Sequence, residues 1–416
     1  MDTITACDLA KTYRGARLGA AETSLREAEC WLALAGALGR DATWDERLRD
    51  ACWKELLTSQ FHDILPGSSI ARVNREAEQT FARVADLAGT AAARARAALV
   101  APADALTVCN SLAWPRRALV ALPVAWRGAA QDGRALPVQD VDGRLLAEVD
   151  LPACGHVTLK AAEPAPAGGD TVRAEGMTIE NRHLRLTLDA RGAIASLFDK
   201  DAGRELAAGP LNELRMYQDV PTRYDAWDID PTYVVQPVAL DAPAEVVARD
   251  AGPLAASLTV SRRIHQSWIR QTYVLERASR RVEIRTEIDW RETHKLLKAA
   301  FAFDHRDEEA LHGIQFGHVR RPTHRNRRYD RDRFEVAHHR WVALVEEDRG
   351  AAVIDDGSKY GADVLGSTIS LSLLRAPMAP EQDADKGVHR FTYGLYVWNG
   401  AFHACDLIPE AWGLGI

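Results

Sequence analysis

A change of hydrophobic period near Val100 constrains the fold of this chain more than any other feature. Before it, apolar residues recur at helical spacing in an alanine-rich sequence. After it, they alternate with period two between Pro and Gly punctuation. A helix-period pattern does not settle as a strand, nor the reverse, so a helical part followed by a β part is expected.

A first helix is expected from about Ala20 to Leu38. Leu25, Ala28, Trp31, Leu32, Ala35 and Leu38 fall at helical spacing, and Gly39 is its stop. Thr43-x-x-Glu46 has the form of a capping box and opens a second helix. That helix carries Leu48, Cys52 and Leu56 on one stripe, with Trp53, Leu57 and Phe61 beside it, and Pro66-Gly67 ends it. A third starts at Ser68-Ser69 and runs through Ile70, Val73, Ala77, Phe81, Val84 and Leu87 into the alanine run near 91–98. Short connections predict an antiparallel three-helix bundle over residues 1–100. In the β part, Leu184, Leu186 and Leu188 alternate with polar residues. Val282, Ile284, Thr286, Ile288 and Trp290 share one face of a half-buried antiparallel strand. The segment AAEPAPAGGD, 161–170, reads as a linker. It would join a small β-domain at 103–160 to a large antiparallel β-sandwich at 171–416. No repeat of fixed period occurs.

Composition excludes several classes. The 416 residues are 47% hydrophobic and 27% charged, ample for globular cores. A net charge of −7 argues against a nucleic-acid binder. No stretch approaches the roughly 18 apolar residues of a membrane span, so no membrane partner is expected. The N-terminal MDTITACDLAKTYRG lacks the pattern of a secretory leader. Cys7, Cys30, Cys52, Cys109, Cys154 and Cys405 are scattered, with no C-x-x-C, and read as the reduced thiols of a cytoplasmic protein. Trp, at 11, outnumbers Phe and Tyr, at 9 each, which matters because exposed Trp is a platform for sugars.

Four segments carry candidate chemistry. QFHDILPGSS places His62 and Asp63 in the expected last turn of the second helix. The helix end is a favourable place for a cation, and a neutral imidazole is a normal zinc ligand. The competing reading is a helix-end His on carbonyls, with Asp63 capping the next helix. QDVPTRYDAWDID gathers Asp219, Asp225, Asp228 and Asp230 around Tyr224 and Trp227 on a loop. Carboxylates accept from sugar hydroxyls and an aromatic face packs on a pyranose; an Asp-rich turn capping its own backbone is the alternative. The run from Val319 to Trp341 holds seven Arg between Arg320 and Arg333, interrupted by Asp330 and Asp332, and reads as a salt-bridged surface loop. His338 and His339 there are expected on opposite faces of a strand, solvated or at an edge. Finally, LLRAPMAPEQDADKGVH offers Arg375 with Asp383 or Asp385, as an ion pair or as the lining of a polar site.

The stretches LLTSQFHDILPGSSI, VCNSLAWPRR, MTIENRHLRLTLDARGAIASLFDKDAGREL, LNELRMYQDVPTRYDAWDID, DWRETHKLLKAAFAF, FGHVRRPTHRNRRYDRDRFEVAHHRWVAL, DDGSKYG and LLRAPMAPEQDADKGVHRFTYGLY, in this order, resemble glycoside hydrolase family 38, the retaining α-mannosidases, in their cytosolic and bacterial branch. The resemblance implies a helical bundle followed by a β-sandwich of the galactose-mutarotase-like supersandwich type. It implies a divalent metal, zinc or cobalt, with His62 as one ligand. It places Asp63 against the sugar at the metal, and Tyr224, Asp225, Trp227 and Asp228 on a loop near the active-site mouth. In such an enzyme the metal binds sugar hydroxyls while two carboxylates serve as nucleophile and general acid. The family's N-terminal domain, which carries these carboxylates and the other ligands, has no matching positions here. The entry TYRGARLGAA is a shortened form of the family's pattern, and the family continues past WGLGI. The resemblance thus implies the middle and C-terminal part of an enzyme acting on α-mannoside oligosaccharides, homo-oligomeric when complete, and inactive as this chain alone. Two alternatives are a non-catalytic carbohydrate-binding β-sandwich protein and a subunit that docks a separately encoded catalytic domain.

Overall fold

A computed structural model describes residues 13–100, 105–141, 143–165 and 172–414. Cys7 and residues 166–170 of the expected linker lie outside them.

Three helices open the chain: α1 (Tyr13–Ala37), α2 (Glu46–Thr58) and α3 (Ala71–Leu99). Leu25, Ala28, Trp31, Cys52, Leu56, Phe81, Val84 and Ala88 form their shared core. Alanines on the facing stripes, such as Ala21, Ala28, Ala88 and Ala92, let α1 and α3 lie close along much of their length. Two expectations fail at α2. Its N-cap is Asp45, whose side chain accepts from the Leu48 amide, so the Thr43–Glu46 box does not form. Its end comes at Thr58, not at Pro66-Gly67. There the Thr58 and Ser59 hydroxyls bond back to the Lys54 and Glu55 carbonyls, satisfying groups that another helical turn would use. Leu38, Leu57 and Phe61, expected on apolar stripes, are exposed.

A small β unit follows. Ala105–Asn110, Gly155–Ala161, Ala129–Gln131 and Arg134–Ala135 make one sheet, and Arg116–Ala121, Arg144–Leu151 and Val138–Val141 another. Leu122, Leu136, Val149, Leu151 and Leu159 fill the space between. The expected linker begins inside this unit: Ala161 ends a strand, and Ala162 and Ala165 donate to the Gly128 and Leu136 carbonyls.

Beyond Val172, two large antiparallel sheets enclose one core. Leu184, Leu186 and Leu188 are buried as the alternation predicts. So are Val282, Ile284, Ile288 and Trp290, on the strand Arg281–Trp290 that pairs with Gly387–Asn399. The architecture is thus helices followed by antiparallel sheets. No described helix is long and apolar enough to cross a membrane.

The arginine-rich segment is ion-paired. Arg320 meets Glu309 on the partner strand, Arg325 bonds Asp363, and Arg327 and Arg333 each lie 5.6 Å from the Tyr329 ring centre. His338 and His339 depart from expectation. The strand there is only Val336–Ala337, and His338 is buried with Nε2 3.0 Å from Asp355 Oδ2, not solvated.

Candidate functional site

The early end of α2 moves His62 and Asp63 off the helix. They stand on an irregular turn in which the Ile64 and Leu65 amides both bond the Phe61 carbonyl, and Gly67 takes the positive φ of +62° that lets the chain reverse. The helix-end argument for a cation therefore does not apply to His62. Side chains tie the turn down. Ser69 Oγ donates to the Asp63 carbonyl, and Asn74 Nδ2 donates to that of Ser69. Gln60 donates to Glu22 on α1, whose carboxyl burial raises above its ordinary range against the opposing pull of Arg340. Asp63 does not cap α3 with its side chain; the N-cap, Ile70, makes no side-chain bond.

The loop carrying Tyr224 and Trp227 leaves the strand Ala207–Gln218. It is held from beneath by Arg375, which is buried at the end of the strand Thr368–Arg375. Arg375 Nε donates to Asp219 Oδ2 at 2.5 Å, and its terminal nitrogens donate to the Asp225, Ala226 and Asp228 carbonyls. One guanidinium thus satisfies a buried carboxylate and three consecutive-turn carbonyls, which suits its rigid fork. Trp227 and Asp228 amides both bond the Tyr224 carbonyl, and Tyr224 sits at φ +56° with its ring exposed. Asp230 Oδ2 accepts from the Thr222 amide and hydroxyl, closing the loop's base.

Asp225 points inward. Its Oδ2 accepts from the Met378 and Ala379 amides and from His294 Nε2. Its role in the fold is to fasten the loop after Arg375, and His294 is a partner that the sequence reading missed. Nothing local marks His294, whose importance depends on strands meeting at Asp219 and Ala376. Asp228 is exposed and accepts from the Ile229 amide. Neither Asp383 nor Asp385 is the carboxylate that Arg375 grips. Asp383 pairs with Lys386, and the Asp385 carbonyl accepts from His389. The reason is position: Asp219 follows the strand Ala207–Gln218, one strand removed from Arg375 across Lys295–Phe303, while Asp383 and Asp385 lie on the outer loop.

The two loops of the candidate site meet through a side-chain bond. Trp227 Nε1 donates to Asp63 Oδ1 at 3.2 Å, joining the helical turn to the β loop across 164 positions of sequence. A second tie runs from Asn74 on α3 to Glu381. Around this junction His62, Asp63, Tyr224 and Asp228 present polar and aromatic groups to solvent, with the exposed Phe61 ring 4.2 Å from that of His62. A metal centre is a separate matter. The His62 side chain is 77% exposed and its near carboxylate, Asp63 Oδ2, lies 3.7 Å away. Among the described residues no group of three or more His, Cys, Asp or Glu could hold a metal ion. A catalytic zinc takes three protein ligands, so these residues by themselves do not fit one.

Residues 14–99 match the family model described as the alpha mannosidase middle domain, and residues 179–383 match the glycosyl hydrolases family 38 C-terminal domain. Together the two cover most of the chain. The chain belongs to glycoside hydrolase family 38. Among its family 38 relatives, alpha-mannosidase 2C1 of Homo sapiens is 35% identical over 376 residues, covering 87% of this chain and 35% of that protein. Alpha-mannosidase G of Dictyostelium discoideum is 35% identical over 263 residues, covering 61% of this chain and 23% of that protein. The chain thus spans about a third or less of the length of these curated relatives. The crystal structure of an alpha-mannosidase from Enterococcus faecalis V583 superposes with a TM-score of 0.82 at 16% identity, covering 99% of this chain and 57% of that one. At that identity the superposition speaks for the fold alone.

Proposed function

We propose that this family 38 chain is the middle and C-terminal part of a retaining, metal-dependent α-mannosidase that removes terminal α-D-mannosyl residues from oligosaccharides in the cytoplasm, its two large sheets forming the family's supersandwich behind a three-helix bundle. The Trp227–Asp63 hydrogen bond is the observation that carries this reading. It sets a carboxylate from the helical turn and an indole from the β loop side by side, with Tyr224 on the same loop. Carboxylates accept from sugar hydroxyls and aromatic faces cover C–H surfaces, so this is the chemistry of a pyranose wall. In this reading Asp63 shares its carboxylate between Trp227 and a sugar hydroxyl, and Tyr224 and Asp228 contact the sugar from the loop. Asp225 and Arg375 position that loop from below.

The described residues do not make a metal centre by themselves. His62 is proposed as a single ligand to a zinc or cobalt ion whose other ligands, together with the nucleophile and general acid, come from a catalytic part of separate sequence. The exposed Leu57, Phe61 and Ile70, which flank His62 in sequence, favour that docking arrangement, because exposed apolar side chains suit a partner surface. The purified 416-residue chain is expected to release no nitrophenol from p-nitrophenyl α-mannoside, and appreciable zinc-dependent release would overturn the proposal. Titration with an α-mannoside, with and without chelator, separates the remaining reading. Tight binding that ignores chelator would mark a non-catalytic carbohydrate-binding protein instead.

A further inference from the structure

The strand Ala255–Ile264 breaks its own pattern. Leu258, Val260 and Ile264 face the core between the two large sheets. Period two puts Arg262 in that same row. Arg262 is only 7% exposed, and among the described residues it makes neither a hydrogen bond nor an ion pair. Asp189 and Tyr273 act on it only from a distance, and burial lowers its pKa from the ordinary arginine value. A cation in an apolar row is costly unless its head group reaches something polar, and no nitrogen of Arg262 is among the fully buried unpartnered atoms. Local rules are most often broken where a ligand is served.

Arg262 lines a cavity of about 190 Å³ together with Asp189, Arg191, Glu213, Arg215 and Tyr217. Its carboxylates are engaged. Asp189 Oδ1 accepts from the Arg191 and Ala193 amides, and Glu213 Oε2 is gripped by Arg215. Three arginines face two carboxylates, which leaves the cavity short of one negative charge, at Arg262. One wall is the strand Ala207–Gln218. On that side it pairs at Ile194↔Leu211 and again at Met216↔Val238, and no described strand pairs with it between the two.

We propose that this cavity binds a small sugar acid, a uronate-class monosaccharide whose carboxylate pairs with Arg262. A planar guanidinium and a carboxylate match in two parallel bonds. A monoanion supplies the missing charge, whereas a phosphate dianion would exceed it and meet Asp189. The volume lies below the roughly 300–1,000 Å³ of drug-sized pockets and suits one hexose ring. Glu213, Arg191 and Arg215 offer acceptors and donors for the hydroxyls of that ring. The cavity uses none of the residues at the Asp63–Trp227 junction.

Calorimetric titration of the full chain with D-glucuronate is expected to saturate, while D-glucose and inorganic phosphate at equal concentration give no binding heat. Arg262→Met is expected to weaken glucuronate binding about ten- to a hundredfold, the loss of a charged hydrogen-bonded pair. Because Arg262 makes no ion pair among the described residues, the same substitution is expected to leave the thermal midpoint unchanged or to raise it. Absence of glucuronate binding overturns the proposal, and so does equal binding of glucose or phosphate. Full binding by Arg262→Met overturns it as well. A lowered midpoint or an unfolded variant would make Arg262 a structural residue and overturn it equally.

Discussion

Lys359 is a buried amine held against carbon. Its Nζ lies 3.5 Å above the centre of the Phe391 ring and has no hydrogen-bond partner among the described residues. Burial pushes it down to about 7, against the pull of Asp356, Asp355 and Asp385. An unfolded chain keeps a lysine near 10.4. Between those values the unfolded state binds a proton that the folded state has lost, so the contribution of Lys359 to stability rises with pH from about 7 to about 10.4 and is least below about 7. Lys359→Met is expected to flatten this part of the profile and to stabilise the protein most at low pH. Urea midpoints for both proteins at about pH 6, 7.5 and 9 test this. A parallel offset between the two profiles would show that Lys359 does not titrate in that window. At this scale the sequence reads poorly. LTVSRRI places Arg262 in a row with Val260 and Ile264, but DDGSKYG is polar and gives no sign that Lys359 is buried; what surrounds each side chain is set by strands far away in sequence.

At the scale of elements, the turn after α2 and the loop after Arg375 teach different lessons. Pro66-Gly67 is a strong breaker, yet the helix had already ended where Thr58 and Ser59 turned their hydroxyls onto their own carbonyls. A breaker bounds a helix from outside; a hydroxyl pair can stop it earlier. The Tyr224–Trp227 loop was legible as a site because its aromatics and carboxylates are dense in one segment. Its support was not, since Arg375, Asp219 and His294 come from three strands. Asp225 ties this loop to the one after Arg375, through the Met378 and Ala379 amides. Asp225→Ala is therefore expected to speed amide exchange at Met378 and Ala379 by at least about tenfold, each bond to a charged acceptor being worth about 1.5–3 kcal/mol. Exchange in the strand Arg281–Trp290 should be unchanged. Equal acceleration in both places would mean that Asp225 supports global stability, not this one junction.

In the whole molecule, the helix-then-sheet order followed from period alone, because core-facing rows repeat locally and need no distant partner. The way the parts are joined was not legible, and Gln139 shows why. It lies on a four-residue strand of the small β unit, and nothing in PVQDV marks it. Yet its Oε1 accepts from the Leu254 and Ala255 amides and its Nε2 donates to the Ala255 carbonyl, all buried between the small unit and the large sheets. One amide thereby stands in for the missing end of a β ladder. A Cβ on Gly252 would come within 2.4 Å of the Gln139 carboxamide, so only glycine lets the two chains approach this closely. Gln139→Leu keeps the size of the side chain but takes the acceptor from the two buried amides of Leu254 and Ala255, while the Ala255 carbonyl keeps the Gly252 amide. Each such orphan costs about 1–3 kcal/mol, so the urea midpoint should fall clearly. The loss should also be local in kind. If the joint is what Gln139 holds, heating the variant should separate an early transition, followed by the Trp126 environment of the small unit, from the later melting of the large sheets. A variant that melts in one step at the original temperature would show that the units are joined mainly elsewhere, at contacts such as Arg277 with Glu148.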